Sequence, residues 1–331
     1  MIKNNLGLVI IGRNEGERLR ACIQSAIRST DAVVYVDSGS TDNSVALAKE
    51  LGAELVNLDL SLPFTAARAR NAGFDCLISH YPSITYVQFV DGDCELVENW
   101  LQQGVEFLSA NTQFAVVCGR RRERFPNASI YNLICDIEWD TAIGEAKSCG
   151  GDALMRVDAL QSTNGFNASL IAGEEPELCV RLRQAGWKIY RLDAEMTLHD
   201  AAMTHFEQWW KRCKRAGFAY AQGVALHGAA PERHWLRELR STFFWGGLLP
   251  LITLTAAIVC WPWGGGLLFV FPVQIIRLAL RGTRTRRENW LYASFLVLGK
   301  IPELVGAIDF YVKRILGKQA YLIEYKRSKK F

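Results

Sequence analysis

The chain of 331 residues is long enough for one large domain with an attachment, or for two domains. Half of its residues are hydrophobic while the mean hydropathy sits near zero, too greasy for a wholly soluble enzyme and too polar for a polytopic membrane protein. A formal net charge of only +4 excludes an indiscriminate binder of nucleic acid, so no nucleic-acid partner is expected.

The first nineteen residues hold only a short apolar run before Arg13 and Glu15. That run is too short for a signal peptide and is expected to be a first strand. Leu8 to Ile11 has the composition of a buried strand, and Glu17 to Ser29 follows as an amphipathic helix. Ala32 to Val36 repeats the strand signal, Ser44 to Leu51 is helical, and Thr85 to Val90 is a third strand. The alternation predicts an α/β domain with a mainly parallel sheet covered on both faces. In such sheets ligands bind beyond the carboxyl ends of the strands. Polar clusters stand at those ends: Asn14-Glu15, Asp37-Ser38-Gly39-Ser40 and Asp91-Gly92-Asp93. The nine cysteines are odd in number and scattered without a C-x-x-C pair, which argues for a reducing compartment and against a disulfide framework or a zinc site.

Composition changes near Leu236. Thr242 to Cys260 carries no charge and is roughly long enough to cross a hydrocarbon core of about 30 Å. Trp261-Pro262-Trp263 and three glycines make a turn, and a shorter apolar run covers Leu267 to Ile276 and reaches Leu280 past Arg277. Arg237 and Arg240 precede this hairpin, and Arg277, Arg281, Arg284, Arg286 and Arg287 follow it, which puts both ends in the cytoplasm. A buried hairpin in a soluble core is the alternative. Trp290 to Leu316, with Lys300, Glu303, Asp309, Lys313 and Arg314, suggests amphipathic helices lying in the interface. Lys318, Lys326, Arg327, Lys329 and Lys330 make a basic tail suited to anionic headgroups.

Two carboxylates around a glycine at a strand end, Asp91 and Asp93, can hold a hard cation together with a diphosphate. Mg2+ or Mn2+ is the cation such ligands favour. Asp37 is either a turn former leading into a helix cap or a hydrogen-bond partner for a nucleotide base. Arg68 and Arg70 sit near a helix start and can grip a diphosphate, or lie on a solvated face. Gly173-Glu174-Glu175-Pro176-Glu177 supplies carboxylates for proton abstraction, and equally suits an acidic first helical turn. His199 can ligate a metal through a neutral ring nitrogen.

In order along the chain, IIGRNEGERL, VVYVDSGSTDNS, ARARNAGF, VQFVDGDCEL, CGGDALMRVDAL, GFNASLIAGEEPELCVRLRQAGW and LHDAAM resemble glycosyltransferase family 2, an inverting family with the GT-A fold. The resemblance runs from Gly7 to about Gly223 and implies the following roles. Asp37 reads the base of a UDP- or GDP-sugar, Asn14, Glu15 and Ser38 line the same pocket, and Arg70 lies near the diphosphate. Asp91 and Asp93 are the metal motif, Asp93 the more direct ligand, with His199 completing the coordination. Glu175 stands where the family commonly carries the catalytic aspartate, and Glu174 is the neighbouring candidate. No Q-x-x-R-W motif of processive synthases is present; Gln208-Trp209-Trp210-Lys211-Arg212 offers only similar residue types, which implies single sugar transfer. The hairpin, GKIPELVGAIDFY and LIEYK look like the anchors of bacterial members that build surface polysaccharides.

The expectation is therefore a GT-A domain over about 1–235 and a membrane module over about 236–331, at the cytoplasmic face of the inner membrane. A metal-dependent inverting transfer would join a sugar to a lipid-linked saccharide. Transfer to polyprenyl phosphate, and a non-catalytic nucleotide-sugar-binding subunit of a synthase complex, are the alternatives.

Overall fold

Seven residues, Leu6–Gly12, form the central strand β1, six of them buried, because a parallel strand covered on both faces has no solvent side to decorate with polar residues. The structure is a computed structural model and describes residues 5–260 and 263–318. Trp261 and Pro262 of the expected turn, LIEYK and the basic residues Lys326, Arg327, Lys329 and Lys330 lie outside the described residues. Two compact units divide the chain, Met1–Ala202 and Met203–Phe331.

In the first unit the order is β1, α1 (Glu17–Ile27), β2 (Val33–Asp37), α2 (Ser44–Glu50), β3 (Glu54–Asn57), α3 (Ala66–His80), β4 (Tyr86–Asp91) and β5 (Cys94–Leu96). There follow α4 (Trp100–Ala110), β6 (Phe114–Glu123), α5 (Ile130–Glu138), β7 (Gly144–Ala146), β8 (Ala153–Arg156), α6 (Val157–Ser162), α7 (Glu174–Gln184) and β9 (Lys188–His199). One mixed sheet results, in the order β3-β2-β1-β4-β8-β6-β9-β5, with β7 added to β9. β1, β2, β3 and β4 are parallel, as the β/α alternation predicts, whereas β8 runs antiparallel to β4 and β6. Val9, Ile10, Val34, Val36, Val87 and Phe89 are buried at the centre of the sheet.

Helix α3 starts at a real cap: the Thr65 hydroxyl accepts from the Arg68 amide at 3.1 Å. It then lies hard against the sheet. A Cβ on Gly73 would stand 2.4 Å from Val9 Cγ1 and 2.8 Å from Val36 Cγ2, so only glycine permits this approach. The contact holds Arg70, one turn earlier, at the carboxyl edge of the strands.

The second unit is helical: α8 (Phe206–His227), α9 (Leu236–Phe243), a π-helical turn at Phe244–Leu248, α10 (Leu249–Val259), a 3-10 segment at Trp263–Phe269, α11 (Val270–Arg281), α12 (Arg286–Leu298) and α13 (Lys300–Ile315). α8 and α13 cross closely, because a Cβ on Gly217 would fall 1.9 Å from the Glu303 carbonyl oxygen. The compositional change near Leu236 falls inside this unit. Among the described residues three stretches are long and apolar enough to cross a membrane: Leu236–Val259, Gly264–Arg281 and Arg286–Ile315, with mean hydropathies of 1.8, 1.4 and 1.5. The first two contain the arms expected at about 242–280. The third overlaps the segment that the sequence assigns to the interface.

Candidate functional site

Parallel register lines up the acidic loops. Gly12 of β1 pairs with Asp37 of β2, and Ile11 pairs with Asp91 of β4, so three strand ends open at one edge. Asn14 binds two of the loops together, its Oδ1 accepting from the Thr41 amide at 2.6 Å and the Asp42 amide at 3.3 Å. Its own amide donates to Ser40 Oγ at 2.9 Å. Asp37 is buried, and its Oδ2 accepts from the amides of Gly39 (2.9 Å) and Ser40 (2.8 Å) while Oδ1 accepts from the Tyr35 hydroxyl (3.1 Å). The turn-forming role of Asp37 is thus met by its own loop. Ser38 is buried beside it, its amide on the Gly12 carbonyl at 3.0 Å, and Glu15 pairs with Arg18 at 2.8 Å. Tyr35 is the residue that sequence reasoning missed here; burial, then the Asp37 charge, raises its pKa and keeps it a donor.

A second group surrounds Asp91. Arg70 is buried and donates from Nη2 to Asp91 Oδ1 at 2.8 Å and from Nη1 to Glu174 Oε1 at 2.6 Å. Burial opposes its charge, but Asp91 and Glu174 more than offset that, and its pKa rises. Arg121 of β6 takes the other oxygen, Nη2 to Asp91 Oδ2 at 3.1 Å, and its Nε lies 3.4 Å from Asp152 Oδ2. Asp152 in turn accepts from the Asp91 amide at 3.0 Å and the Thr197 hydroxyl at 2.8 Å. Arg68, the other arginine near the start of α3, instead donates to the carbonyls of Asp59, Leu62 and Pro63, so it closes the preceding loop.

The tight Asp91-Gly92-Asp93 turn feeds β5, whose Cys94 pairs with His199 of β9, and Glu123 of β6 pairs with the same histidine from the other side. His199 Nε2 consequently lies 3.3 Å from Asp93 Oδ2 and Nδ1 lies 3.6 Å from Glu123 Oε2, all three residues buried. Trp139 meets the imidazole edge-on with ring centroids 4.6 Å apart, and the Arg121 guanidinium lies 5.0 Å from the same indole. Burial, then Arg121, lowers the His199 pKa, so the ring is neutral at physiological pH and has a lone pair to offer.

Glu174 and Glu175 open α7 after Gly173, where an acidic first turn complements the helix dipole. They part company at once. Glu174 joins the Arg70 group. Glu175 enters a buried nest in which Oε1 accepts from the Cys149 amide (2.6 Å), Cys149 Sγ (2.9 Å) and Cys179 Sγ (3.0 Å). Burial raises its pKa, against these hydrogen bonds.

The residues present fit a hard divalent cation. The ligand atoms of Asp93 and His199, with Cys94, lie within 4.8 Å of one another. Carboxylate and neutral imidazole suit Mn2+, while burial raises the Cys94 pKa and keeps that thiol protonated. The carboxylates of Asp91, Asp93, Glu123, Asp152 and Glu174 also outnumber the guanidiniums of Arg70 and Arg121. Both Asp91 oxygens are held by arginine, so Asp93 and His199 are the better-placed ligands.

The structure therefore brings Asn14, Glu15, Asp37 and Ser38 to one set of strand ends and Arg70, Asp91 and Glu174 to the next. Asp93 and His199 meet beside them, and Glu175 lies behind in its thiol nest. Arg121, Asp152, Glu123 and Trp139 went unrecognised in the sequence. For Arg121, Glu123 and Asp152 the signal was the placement of CGRRRERF and CGGDALMR, where β6 ends and β8 begins; Trp139, at the end of α5, lies in neither segment.

Residues 8–147 match the family model described as Glycosyl transferase family 2. Glycosyltransferase AglE of Haloferax volcanii is 25% identical over 199 residues, 56% of this chain and 63% of that protein, so the chain spans less than two thirds of it. Succinoglycan biosynthesis protein ExoA of Rhizobium meliloti is 26% identical over 281 residues, 79% of this chain and 83% of that protein. Among solved structures, the mannosyltransferase PcManGT of Pyrobaculum calidifontis, in complex with GDP-Man and Mn2+, superposes with a TM-score of 0.63 at 14% identity, covering 92% of this chain and 87% of that one. S. aureus TarS 1-349 does so with 0.50 at 12% identity, covering 94% and 92%. The fold is GT-A.

Proposed function

We propose that this chain, a glycosyltransferase of family 2, moves a single sugar from a UDP- or GDP-sugar to a hydroxyl of a lipid-linked saccharide at the cytoplasmic face of the inner membrane. One observation carries the donor half: the Asp37 loop and the Asp91–Asp93–His199 group open side by side at the carboxyl ends of β2, β1 and β4. A nucleoside fits the first and a metal-bound diphosphate the second. The complex of PcManGT with GDP-Man and Mn2+ supports such a donor. Asp93 and His199 would hold Mg2+ or Mn2+, with Asp91 next to it; when bound, the cation supplies neutralisation of the charge that develops on the departing nucleoside diphosphate. Arg70 and Arg121 are ready donors to phosphate oxygens once Asp91 shares them. Asn14, Glu15 and Ser38 fix the shape of the base pocket.

In this reading Glu175 takes the proton of the attacking hydroxyl, its raised pKa making it a stronger acceptor than an ordinary glutamate, while Glu174 positions Arg70. Attack opposite the leaving diphosphate inverts the anomeric centre. The three stretches able to cross a membrane support an acceptor that is itself lipid-bound.

A second reading has a specific observation behind it. The Glu175 carboxylate is turned into the thiol nest and is 4% exposed, which suits an acceptor that needs no base, polyprenyl phosphate.

Purified full-length protein, titrated with UDP- and GDP-sugars with and without Mn2+, tests the donor assignment. One donor should bind and hydrolyse slowly only with the cation, and Asp93→Ala should abolish both. Equal binding without metal in wild type and variant would remove the cation from the reading. A Glu175→Gln variant that keeps the full transfer rate would select polyprenyl phosphate.

A further inference from the structure

Cysteine spacing in the sequence gives no metal pattern, but the fold assembles one. The loop before β8 carries Cys149 and the second turn of α7 carries Cys179, and these meet the Glu175 carboxylate so that the three ligand atoms lie within 4.8 Å of one another. We infer that Cys149, Cys179 and Glu175 form a binding site for a thiophilic divalent cation such as Zn2+ or Cd2+, distinct from the Asp93–His199 pair, and that filling it withdraws Glu175 from proton transfer. The second clause rests on the reading of Glu175 as the base; the first does not.

The geometry is close to that of a bound ion. The two sulfurs are 3.8 Å apart, and two thiolates on a tetrahedral zinc, at about 2.3 Å each, are separated by about 3.8 Å. The sulfur–oxygen separations of 2.9 and 3.0 Å are short thiol–carboxylate contacts. With zinc–oxygen at about 2.1 Å they would open to about 3.6 Å, a movement within reach of a glutamate side chain. Cys149 is only half-buried, which gives a cation a route inward and leaves a coordination position for water. Soft sulfur ligands select Zn2+ or Cd2+ over Mg2+ or Mn2+, so the two sites need not compete for the same ion.

Binding is balanced by proton release. Burial keeps the Cys149 thiol protonated; at Cys179 the contact with Cys149 works the other way, but burial and the Glu175 carboxylate together push the thiol up to about 11. The cation therefore displaces two protons to solvent and leaves two thiolates and one carboxylate around a charge of +2. Arg183 favours the Cys179 thiolate, which offsets the remaining negative charge. Cys118, buried on β6, stands near enough to feel both Glu175 and Cys179.

The test uses the detergent-solubilised full chain with Cys76, Cys213 and Cys260, the other thiols with solvent access, changed to serine. Cd2+ is added under anaerobic conditions, and the ultraviolet sulfur-to-cadmium charge-transfer band is followed with the number of ions bound. One ion with a two-thiolate band is expected. Cys149→Ser and Cys179→Ser should each weaken binding at least about 100-fold, and Glu175→Gln about 10-fold. Circular dichroism checks folding; should Cys179→Ser unfold, Cys149→Ser on the half-buried loop carries the comparison. Absence of the band, a band untouched by both serine variants, or loss of both thiols to a disulfide overturns the site. Where the band forms, transfer should fall in step with occupancy. A bound ion with an undiminished rate would overturn the inhibitory clause and the base role of Glu175 while the site stands.

Discussion

Arg70 is shared by two carboxylates brought from distant parts of the chain, Asp91 at 2.8 Å and Glu174 at 2.6 Å. Removing one member of a buried pair strands the others, at a cost of about 3–5 kcal/mol. Arg70→Met should therefore lower the melting temperature markedly. Arg70→Lys should recover part of that loss yet leave kcat/KM at least about 10-fold down, because an ammonium cannot reproduce the fork that spans both partners. A lysine variant with wild-type kcat/KM would show that the fork has no role in turnover. Glu175 offers the opposite trade. Its folded-state pKa is raised, so folding favours the protonated carboxyl; that contribution is present at low pH and is lost as pH rises through the folded pKa. Above it the ionised group is a burden, and Glu175→Gln should be the more stable protein by a margin that grows with pH, while transfer to a hydroxyl falls. Melting curves across pH check this; a margin independent of pH contradicts it. Asp37, Asp91, Asp93 and Arg70 were legible because each stands next to a strong strand or helix signal. Arg121, Asp152 and Glu123 were not, since their meaning lies in partners on other strands, such as Asp152 bonded to the amide of Asp91.

At the level of elements, the close seating of α3 on β1 and β2 is the feature that turns an ordinary helix into part of the site. Gly73→Ala places a methyl group 2.4 Å from Val9 Cγ1, and neither that valine nor Val36 can swing away within a packed sheet. Overpacking of this kind costs about 1–3 kcal/mol. The helix should also lift, carrying Arg70 off Asp91, so the donor KM should rise together with the fall in melting temperature. Stability lost with donor KM unchanged would mean that Arg70 is held by its ion pairs alone. The parallel half of the sheet could be read in advance because its strands are apolar runs ending in polar clusters. β3 and β7 are too short to leave such a mark, having four and three residues. The antiparallel pairing of β8 with β4 and of β5 with β9 depends on registers between segments over sixty residues apart or more, which no local pattern encodes.

For the whole molecule, the question is whether the three apolar stretches of the described residues cross a bilayer, and how many of them do. Arg237 and Arg240 before the first, and Arg277, Arg281, Arg284, Arg286 and Arg287 after the second, favour a hairpin with both ends inside. Cys260 ends the first arm and is exposed, which makes it a native reporter. A membrane-impermeant maleimide should label it in intact spheroplasts, and Cys260→Ser should remove the signal; labelling only after lysis would favour the soluble hairpin. The third stretch is the harder case. Its charges led the sequence reading to place it in the interface, yet the structure pairs several of them. Lys300 reaches Glu303 at 2.7 Å, Thr242 donates to the same carboxylate at 2.6 Å, and Asp309 is held by Lys313 at 3.1 Å. Paired charges are far less costly in hydrocarbon than lone ones, so length and composition become compatible with a span. Charge placement still favours the interface, because a third crossing would carry Lys313, Arg314 and Lys318 to the far side. In a Cys260→Ser background, Lys318→Cys should accordingly react with the impermeant reagent only after lysis. Reaction in intact spheroplasts would instead make Arg286–Ile315 a third span and put Lys318 on the far side of the membrane.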